Sequence, residues 1–239
     1  MVTSLPWRWD AAFDEGGPLP ALLVSTAVGV LARGVRPLGG ARARSAGGPR
    51  AWRAPVVLID GRSGSGKSTL ATLLAREART AGVRGVRVAR LDSWYPGWHG
   101  LARGSAITEA LLRGLPRPGG PGPLRLMGAG VQPAYPAWDW ERDRVARSVP
   151  LDPSLPIIVE GSGALTPLGA RAADLRVWVE VGPSAAVDPE GDEPGVRHTR
   201  AMARDGESYR PWWDAWAAQE DAHLRGCDPR SLADLVVMT

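Results

Sequence analysis

Short apolar runs and stretches of helical periodicity alternate along most of this chain. Runs rich in β-branched residues predict strands at 56–59, 85–91, 157–159, 175–181 and 235–238. Apolar residues spaced three and four positions apart predict helices at 67–81, 105–113, 194–205 and 209–225. Because strand and helix alternate, we expect an α/β fold in which helices cover both faces of a mainly parallel sheet, a three-layer sandwich.

The first 54 residues follow a different pattern. Apolar spacing predicts a helix at 19–33, which ends before Gly34 and Pro37, and residues 36–54 form a connector rich in Gly, Arg and Pro. We therefore divide the chain into an N-terminal segment, 1–54, and an α/β domain, 55–239. The apolar stretch is shorter than the ~20 residues that a membrane span needs, and no secretory signal opens the chain. We expect a cytoplasmic protein without membrane attachment.

Residues 61–68, with the sequence GRSGSGKS, match the pattern G-x-x-x-x-G-K-[ST] of a P-loop and are followed by Thr69. Its glycines let the backbone aim N–H groups at the β-phosphate of a nucleoside triphosphate, and the following helix favours the same anion. Lys67 would reach the β- and γ-phosphates, and the Ser68 hydroxyl would ligate Mg²⁺. The predicted nucleotide-binding residues are Gly61, Ser63, Gly64, Ser65, Gly66, Lys67, Ser68 and Thr69.

The amino-acid composition strengthens the prediction that Lys67 binds phosphate. Lys67 is the only lysine among 29 basic residues, and the chain has no asparagine and one phenylalanine, a bias typical of a GC-rich genome. The net charge of +4 is modest and the arginines are dispersed, so we expect no nucleic-acid partner. The lone Cys227 excludes an intramolecular disulfide.

Three carboxylates follow predicted strands: Asp60, Asp92 and Glu160. They should lie at or near the strand ends where parallel sheets bind their ligands. Asp92 could accept the proton of an acceptor hydroxyl, or it could cap the following turn. Glu160 could hold Mg²⁺ directly or through water, or it could hydrogen-bond a neighbouring loop.

Arg197, Arg200 and Arg204 are spaced three and four residues apart, so one helix face could present all three. Guanidinium groups bind phosphate bidentately and stay charged, which suits a phosphate clamp. The alternative is a solvated basic face in an arginine-rich chain.

The chain has eleven tryptophans. Trp212, Trp213 and Trp216 are expected to pack a C-terminal helix against the core. Aromatic residues near predicted strand ends, including two in a Pro-bounded loop around 138–140, could instead stack on a planar acceptor, although core packing is the more frequent fate of tryptophan. The candidates for the acceptor site are Trp94, Tyr95, Trp98, His99, Tyr135, Trp138, Asp139 and Trp140. We find no His/Cys spacing for zinc and no Ser-His-Asp set.

Five segments together resemble the uridine kinase-like branch of P-loop kinases, which includes phosphoribulokinase and bacterial pantothenate kinase. Residues 59–69 resemble its first motif, and 92–95 (DSWY) are similar to its D-S-F-Y motif. Residues 136–140 (PAWDW) are similar to its P-x-Y-D acceptor segment and 158–161 (IVEG) to its V-V-E-G strand. Residues 197–205 resemble its lid pattern, R-x-x-R-x-x-x-R-D, within a lid around 196–210.

The resemblance implies a kinase that moves the γ-phosphate of ATP or GTP, with Mg²⁺, onto a hydroxyl of a small molecule, most simply a nucleoside or a nucleoside-like compound. It implies that Asp92 is the base, that Lys67, Arg200 and Arg204 stabilise the moving phosphate, and that Arg197 contacts the nucleotide. Glu160 and Ser68 would hold the Mg²⁺ ion.

Tryptophan at acceptor positions favours a larger or flatter acceptor than uridine, such as a nucleoside-type antibiotic. The alternatives from other classes are a P-loop NTPase regulator without a metabolite acceptor and an enzyme that acts on nucleic acid. A homodimer is compatible with the sequence.

Overall fold

The computed structural model describes residues 2–7, 9–10, 15–16, 19–33, 54–113, 126–127, 130–131, 133–182 and 193–239. The strands are β1 (Thr3–Pro6), β2 (Trp9–Asp10), β3 (Glu15–Gly16), β4 (Val56–Gly61), β5 (Arg87–Arg90), β6 (Leu126–Met127), β7 (Gly130–Val131), β8 (Ala134–Asp139), β9 (Arg144–Pro150), β10 (Ile157–Glu160), β11 (Leu175–Glu180) and β12 (Leu235–Met238). The α-helices are α1 (Ala21–Leu31), α2 (Lys67–Thr80), α3 (Leu101–Arg113), α4 (Pro167–Ala170), α5 (Glu193–Asp205), α6 (Trp213–Cys227) and α7 (Pro229–Leu232). Short 3₁₀ helices cover Leu91–Ser93, Gly206–Ser208 and Arg210–Trp212.

Six strands form the central sheet, in the order β1-β12-β11-β4-β10-β5, and each neighbouring pair is parallel. β4, the strand that leads into the P-loop, lies between β10 and β11 and is buried along its whole length. Strands buried on both faces are continuously apolar, which is why the run 56–59 shows no polar alternation. The predicted parallel sheet is confirmed.

Successive residues of β4 point to opposite faces of the sheet. Val57 and Ile59 belong to a buried cluster with residues of α1 and α2, whereas Val56 and Leu58 belong to a second cluster with residues of α3 and α6. Helices therefore cover both faces of the sheet, and the predicted three-layer sandwich is confirmed.

The N-terminal segment contributes to the same sheet. β1 pairs with β12 from Thr3–Leu235 to Pro6–Met238, and the Trp7 amide donates to the Met238 carbonyl at 2.7 Å. The predicted N-terminal helix is present as α1 and packs on α2. No strand was predicted here, because β1 is short and ends in proline, a residue tolerated at sheet edges. The connector predicted at 36–54 lies, apart from its last residue, outside the described residues.

Residues 134–150 form an antiparallel hairpin of β8 and β9, with a bulge between Ala137 and Trp138. The expectation of a Pro-bounded loop around 138–140 was therefore wrong. Most of β9 is exposed, so its sequence lacks the apolar alternation that reveals a half-buried strand. The hairpin lies outside the central sheet and contacts the 3₁₀ helix that contains Asp92.

Within the described residues, no helix combines the length and the apolar character needed to cross a membrane.

Candidate active site

The P-loop connects the end of β4 to the start of α2 and contains two glycines in the left-handed region, Gly64 (φ 79°) and Gly66 (φ 90°). A Cβ atom on Gly64 would lie 2.1 Å from the carbonyl oxygen of Arg197, so only glycine allows α5 to approach the loop this closely. No side chain caps the N-terminus of α2, and its first turn has no acidic residue. The amide groups at this helix end are therefore suited to an anion.

Lys67 lies at the start of α2 with only 7% of its surface exposed. Its Nζ donates to the carbonyl oxygen of Arg62, 3.0 Å away, across the P-loop. A bound phosphate would offer this ammonium group a stronger, charged acceptor than a carbonyl oxygen.

One cavity of about 300 Å³ joins the P-loop to the ends of neighbouring strands. It is lined by P-loop residues, by carboxylates, by aromatic side chains and by residues at the end of α5 and beyond it. The lining residues are Ser63, Lys67, Ser68, Asp92, Tyr95, Trp98, Trp140, Glu160, Ser162, Arg204, Asp205, Ser208, Tyr209 and Trp216.

Glu160, at the end of β10, is 2% exposed. Its Oε1 lies 3.3 Å from Arg90 Nε, yet makes no hydrogen bond with a described residue. Burial and, to a lesser extent, the Asp92 carboxylate raise the pKa of Glu160 above its ordinary value. Lys67, Ser68 and Arg90 have a smaller, opposite effect on this pKa. A buried carboxylate with an unbonded oxygen beside a serine hydroxyl suits a divalent cation.

No cluster of three or more His, Cys, Asp or Glu residues suited to a metal ion occurs in the part of the chain that the structure describes. The residues present nevertheless fit Mg²⁺, because this ion is commonly held by one or two protein oxygens together with substrate phosphates and water. Ser68, Glu160 and Asp92 line the cavity and would be its nearest protein neighbours.

Asp92 lies in the 3₁₀ helix that follows β5 and its carboxylate is exposed toward the cavity. Trp140 Nε1 donates to the backbone carbonyl of Asp92 at 2.9 Å and so ties the β8–β9 hairpin to this segment. The Asp92 carboxylate and the P-loop thus border the same cavity.

The aromatic candidates divide into two groups. Tyr95 and Trp98 line the cavity, together with Trp140 and Trp216. Trp94 instead lies in the core, 1% exposed, with its indole N–H directed at the Gly104 carbonyl and the Thr108 hydroxyl, each 3.2 Å away. The acceptor role predicted for Trp94 is therefore corrected to core packing.

Four further acceptor candidates lie outside the cavity lining. Tyr135 packs on Trp94, with ring centroids 4.7 Å apart, and His99 lies edge-on to Trp212. Trp138 follows the bulge of β8 and its indole nitrogen is buried. Asp139 accepts from the amides of residues 141 and 142 and from the guanidinium of Arg142, and this hydrogen bonding lowers its pKa. Asp139 thus caps the hairpin turn, which corrects its predicted role in orienting the acceptor.

The three arginines of α5 that were predicted to bind phosphate contact different partners. Arg197, 2% exposed, donates to the Ser63 carbonyl at 3.2 Å, and its guanidinium lies over the Trp213 ring. Arg200 donates to the Thr239 hydroxyl at 2.9 Å, and burial lowers the pKa of its guanidinium. Of the three, Arg204 lines the cavity.

Arg204 is held by Asp205 through two hydrogen bonds, of 2.9 and 2.6 Å. Burial alone would lower the pKa of Arg204, but these bonds and the carboxylates of Asp92 and Glu160 outweigh it and raise the pKa. Arg204 therefore supplies a permanent positive charge to a cavity that two carboxylates also border.

Asp60 does not line the cavity. It is 1% exposed and accepts from the amides of Gly61, Gly163 and Leu165, while His223 Nε2 lies 3.0 Å away. Its carboxylate thus ties the end of β4 to the segment after β10 and to α6.

Glu220 of α6 is a buried residue that sequence reasoning missed. Its Oε1 accepts from the Ser63 amide at 2.7 Å and from Trp216 Nε1 at 3.1 Å, and its Oε2 accepts from Arg62 Nε at 3.2 Å. Ser162 Oγ lies 3.0 Å from Oε1. The one available signal is an acidic residue four positions after Trp216, on the helix face that a buried tryptophan marks.

No family profile matches the chain, and no curated protein matches it significantly. Similar solved structures include one described as a possible uridine kinase from Bacillus stearothermophilus, with 21% identity over 82% of this chain and 91% of that chain and a TM-score of 0.45. Another is a candidate fructose transport system kinase from Silicibacter sp. TM1040, with 20% identity over 92% of this chain and 99% of that chain and a TM-score of 0.45.

Proposed function

We propose that this protein is a Mg²⁺-dependent kinase that transfers the terminal phosphate of ATP or GTP to a hydroxyl of a small planar molecule, most simply a nucleoside or a nucleoside-like compound. The supporting observation is that one cavity is lined by Lys67 and Ser68 of the P-loop, by the Asp92 carboxylate and by aromatic rings. An NTPase without an acceptor would not need aromatic side chains beside the phosphate site, so their presence in this cavity favours a kinase.

At the phosphate end, the glycine-rich turn and the uncapped start of α2 would bind the phosphates through backbone N–H groups. Lys67 would exchange its carbonyl partner for phosphate oxygens, and Arg204 would face the charge that moves during transfer. Ser68 and Glu160 would hold Mg²⁺, which when bound neutralises charge on the phosphates.

At the acceptor end, Trp98 and Trp140 lie with ring centroids 4.8 Å apart, and Tyr95 and Trp216 form an edge-on pair at 4.8 Å. Because Tyr95 and Trp216 are only 1% and 5% exposed, the flat apolar surface open to a planar acceptor comes mainly from Trp98 and Trp140. The acceptor hydroxyl would point toward Asp92.

In the reaction, the acceptor oxygen forms a bond to the terminal phosphorus while the bond from that phosphorus to the bridging oxygen of the nucleoside diphosphate breaks. Asp92 accepts the hydroxyl proton. The charge that passes to the leaving oxygen is stabilised by Lys67, and binding both substrates in one cavity brings the reacting atoms together.

The test is a panel of nucleosides, nucleoside antibiotics, pantothenate and sugars, incubated with Mg²⁺ and either ATP or GTP and examined by mass spectrometry. The expected result is an acceptor that gains one phosphate as the nucleotide is consumed. Nucleotide consumption that does not rise with any acceptor would favour an NTPase instead.

Asp92→Asn supplies the matched mechanistic test. Turnover should fall by about two orders of magnitude or more, because the base is lost, while ATP affinity should change little. Asp152→Asn is the control, since Asp152 is an exposed carboxylate that accepts from Ser154 in its own turn. Equal turnover in the Asp92 variant and the wild type would remove Asp92 from the base role.

A further inference from the structure

The peptide group between residues 62 and 63 of the P-loop has partners on both sides of the loop. Its carbonyl, from Arg62, accepts from Lys67 Nζ at 3.0 Å. Its amide, from Ser63, donates to Glu220 Oε1 at 2.7 Å. Because the C=O and N–H of a trans peptide group point in opposite directions, the Lys67 ammonium and the Glu220 carboxylate lie on opposite sides of the loop.

The next peptide group, between residues 63 and 64, is held on the Glu220 side. The Ser63 carbonyl accepts from Arg197 Nη1 at 3.2 Å, and the same Nη1 lies 3.9 Å from Glu220 Oε2. Arg197 and Glu220 are therefore on one side of the loop. The amide of Gly64 belongs to this peptide group, so it points away from Arg197 and toward the side on which the Lys67 ammonium lies.

The two side chains that hold Ser63 are buried outside the cavity. Arg197 is 2% and Glu220 is 3% exposed, and neither belongs to the cavity lining, whereas Lys67 does. The Arg197 guanidinium carbon lies 5.6 Å from the centre of the Trp213 ring, which fixes its position further. Arg197 thus contacts the backbone of the loop from the side opposite to the lysine that would bind phosphate.

We propose that Arg197 and Glu220 orient the P-loop for phosphate by holding the Ser63 backbone from outside the cavity. The Gly64 amide then points to the Lys67 side of the loop before any ligand arrives, so little reorganisation is needed on binding. Arg197 is thereby a positioning residue and not the nucleotide contact that the lid pattern predicted. The proposal rests on the nucleotide binding that the proposed function requires.

The charges agree with this role. A buried carboxylate close to a phosphate site would repel the phosphate if it were not neutralised. Glu220 Oε2 lies 3.2 Å from Arg62 Nε in addition to its contact with Arg197, so two guanidinium groups offset its charge. Glu220 can therefore accept from the Ser63 amide without opposing an anion on the other side of the loop.

An NMR experiment on the wild type tests the orientation directly and needs no variant. Hydrogen exchange of the backbone amides is measured without ligand and with Mg²⁺ and ADP. The Ser63 amide should be protected in both states, because Glu220 accepts from it. The Gly64 amide should become protected only when ADP binds. Protection of Gly64 that ADP does not change, or an Ser63 amide that ADP alone protects, would overturn the proposal.

Arg197→Met tests the contribution of the guanidinium group. Calorimetric titration with Mg²⁺ and either ADP or a non-hydrolysable ATP analogue should show both affinities reduced by about tenfold, because a correctly oriented N–H bond to a charged phosphate is lost. Both nucleotides should lose equally, since both carry the β-phosphate. A loss confined to the ATP analogue would place Arg197 on the terminal phosphate and overturn its positioning role.

Hydrogen exchange of the ligand-free variant separates positioning from direct contact. In Arg197→Met the Ser63 amide should exchange faster than in the wild type, because the loop has lost one of the groups that hold it. A residue that only touched the nucleotide would not change exchange in the absence of nucleotide. Unchanged exchange together with reduced affinity would therefore contradict the proposal.

Arg176→Met is the matched control. Arg176 is also paired with a carboxylate, since its Nε donates to Asp234 at 3.0 Å, but it lies in the first half of β11, away from the P-loop. The variant should lose stability and keep both affinities. If its affinities fell as much as those of Arg197→Met, general destabilisation would explain the effect and the proposal would fail.

The two levels of the argument can fail separately. If the wild type bound neither nucleotide, the proposed function itself would be wrong. If the wild type bound both and folded Arg197→Met bound them equally tightly, only the role assigned to Arg197 and Glu220 would be wrong.

Discussion

Replacing Glu220 with alanine should destabilise the protein strongly, because this carboxylate joins α6 to the P-loop. Glu220 is 3% exposed and accepts from a backbone amide, an indole and a guanidinium group. The variant would leave the Ser63 amide and Trp216 Nε1 without their acceptor in a buried region. Arg62 would keep its ion pair with Asp221, 2.8 Å away, but the buried Arg197 would lose the carboxylate that lies 3.9 Å from its Nη1.

The magnitude follows from these partners. Each buried donor left without an acceptor costs about 1–3 kcal/mol, so two such donors cost about 2–6 kcal/mol. Single substitutions seldom exceed about 4–5 kcal/mol, because the surroundings relax. We therefore expect a loss of about 3–4 kcal/mol in the free energy of unfolding and, at about 2–4 °C per kcal/mol for a chain of this size, a Tm lower by roughly 10 °C.

Urea denaturation of the ligand-free protein, followed by tryptophan fluorescence, measures this loss. Glu207→Ala is the matched control, because Glu207 is also paired with an arginine, Arg210, but is 81% exposed. Its Tm and its urea midpoint should stay close to those of the wild type, because an exposed ion pair contributes little to stability. A loss below about 1 kcal/mol for Glu220→Ala would contradict the role assigned to the buried carboxylate.

Two further predictions concern the P-loop and the metal site. Gly64→Ala should weaken ATP binding in a titration by at least about tenfold, because its Cβ would force α5 away from the loop. Gly82→Ala is the control, because Gly82 has a similar φ, 85°, but open space around a Cβ atom, so the variant should lose stability without losing ATP affinity. If both variants bound ATP equally well, a clash between the Gly64 position and α5 would not affect binding. The raised pKa of Glu160 means that the folded state binds its proton more tightly than the unfolded state, so its ionisation should lower stability as pH rises above 4.5. Ligand-free Glu160→Gln should lack this decline and should be more stable than the wild type to urea at pH 8. If the stabilities of the variant and the wild type changed with pH in parallel, ionisation of Glu160 would not be the cause.

Much of the fold could be predicted from local patterns. The buried strands β4, β10, β11 and β12 show as continuous apolar runs, and α2 shows helical spacing after the P-loop. β1 and the β8–β9 hairpin could not be predicted in this way. β1 is a short edge strand, and β9 is largely exposed, so neither carries the apolar pattern that burial imposes.

Of the residues proposed for the site, those of the P-loop follow directly from the sequence, whereas the proposed acceptor residues depend on packing. Trp94 and Trp98 are four residues apart, and both follow a strand end. Trp94 turns into the core to satisfy its indole N–H on α3, whereas Trp98 lines the cavity. Asp139 has the expected residue type, but the turn that follows β8 uses its carboxylate for capping.

The sequence by itself determined the P-loop, its placement between a strand and a helix, and the class of sheet, because each depends on residues that are neighbours along the chain. Only the tertiary structure decided which side chains share the cavity. The Ser63 amide and Glu220 are 157 positions apart, and Tyr209 reaches the P-loop from beyond α5. A parallel sheet gathers distant strand ends at one edge, and packing then decides where each side chain points, so periodicity alone could not reveal either residue.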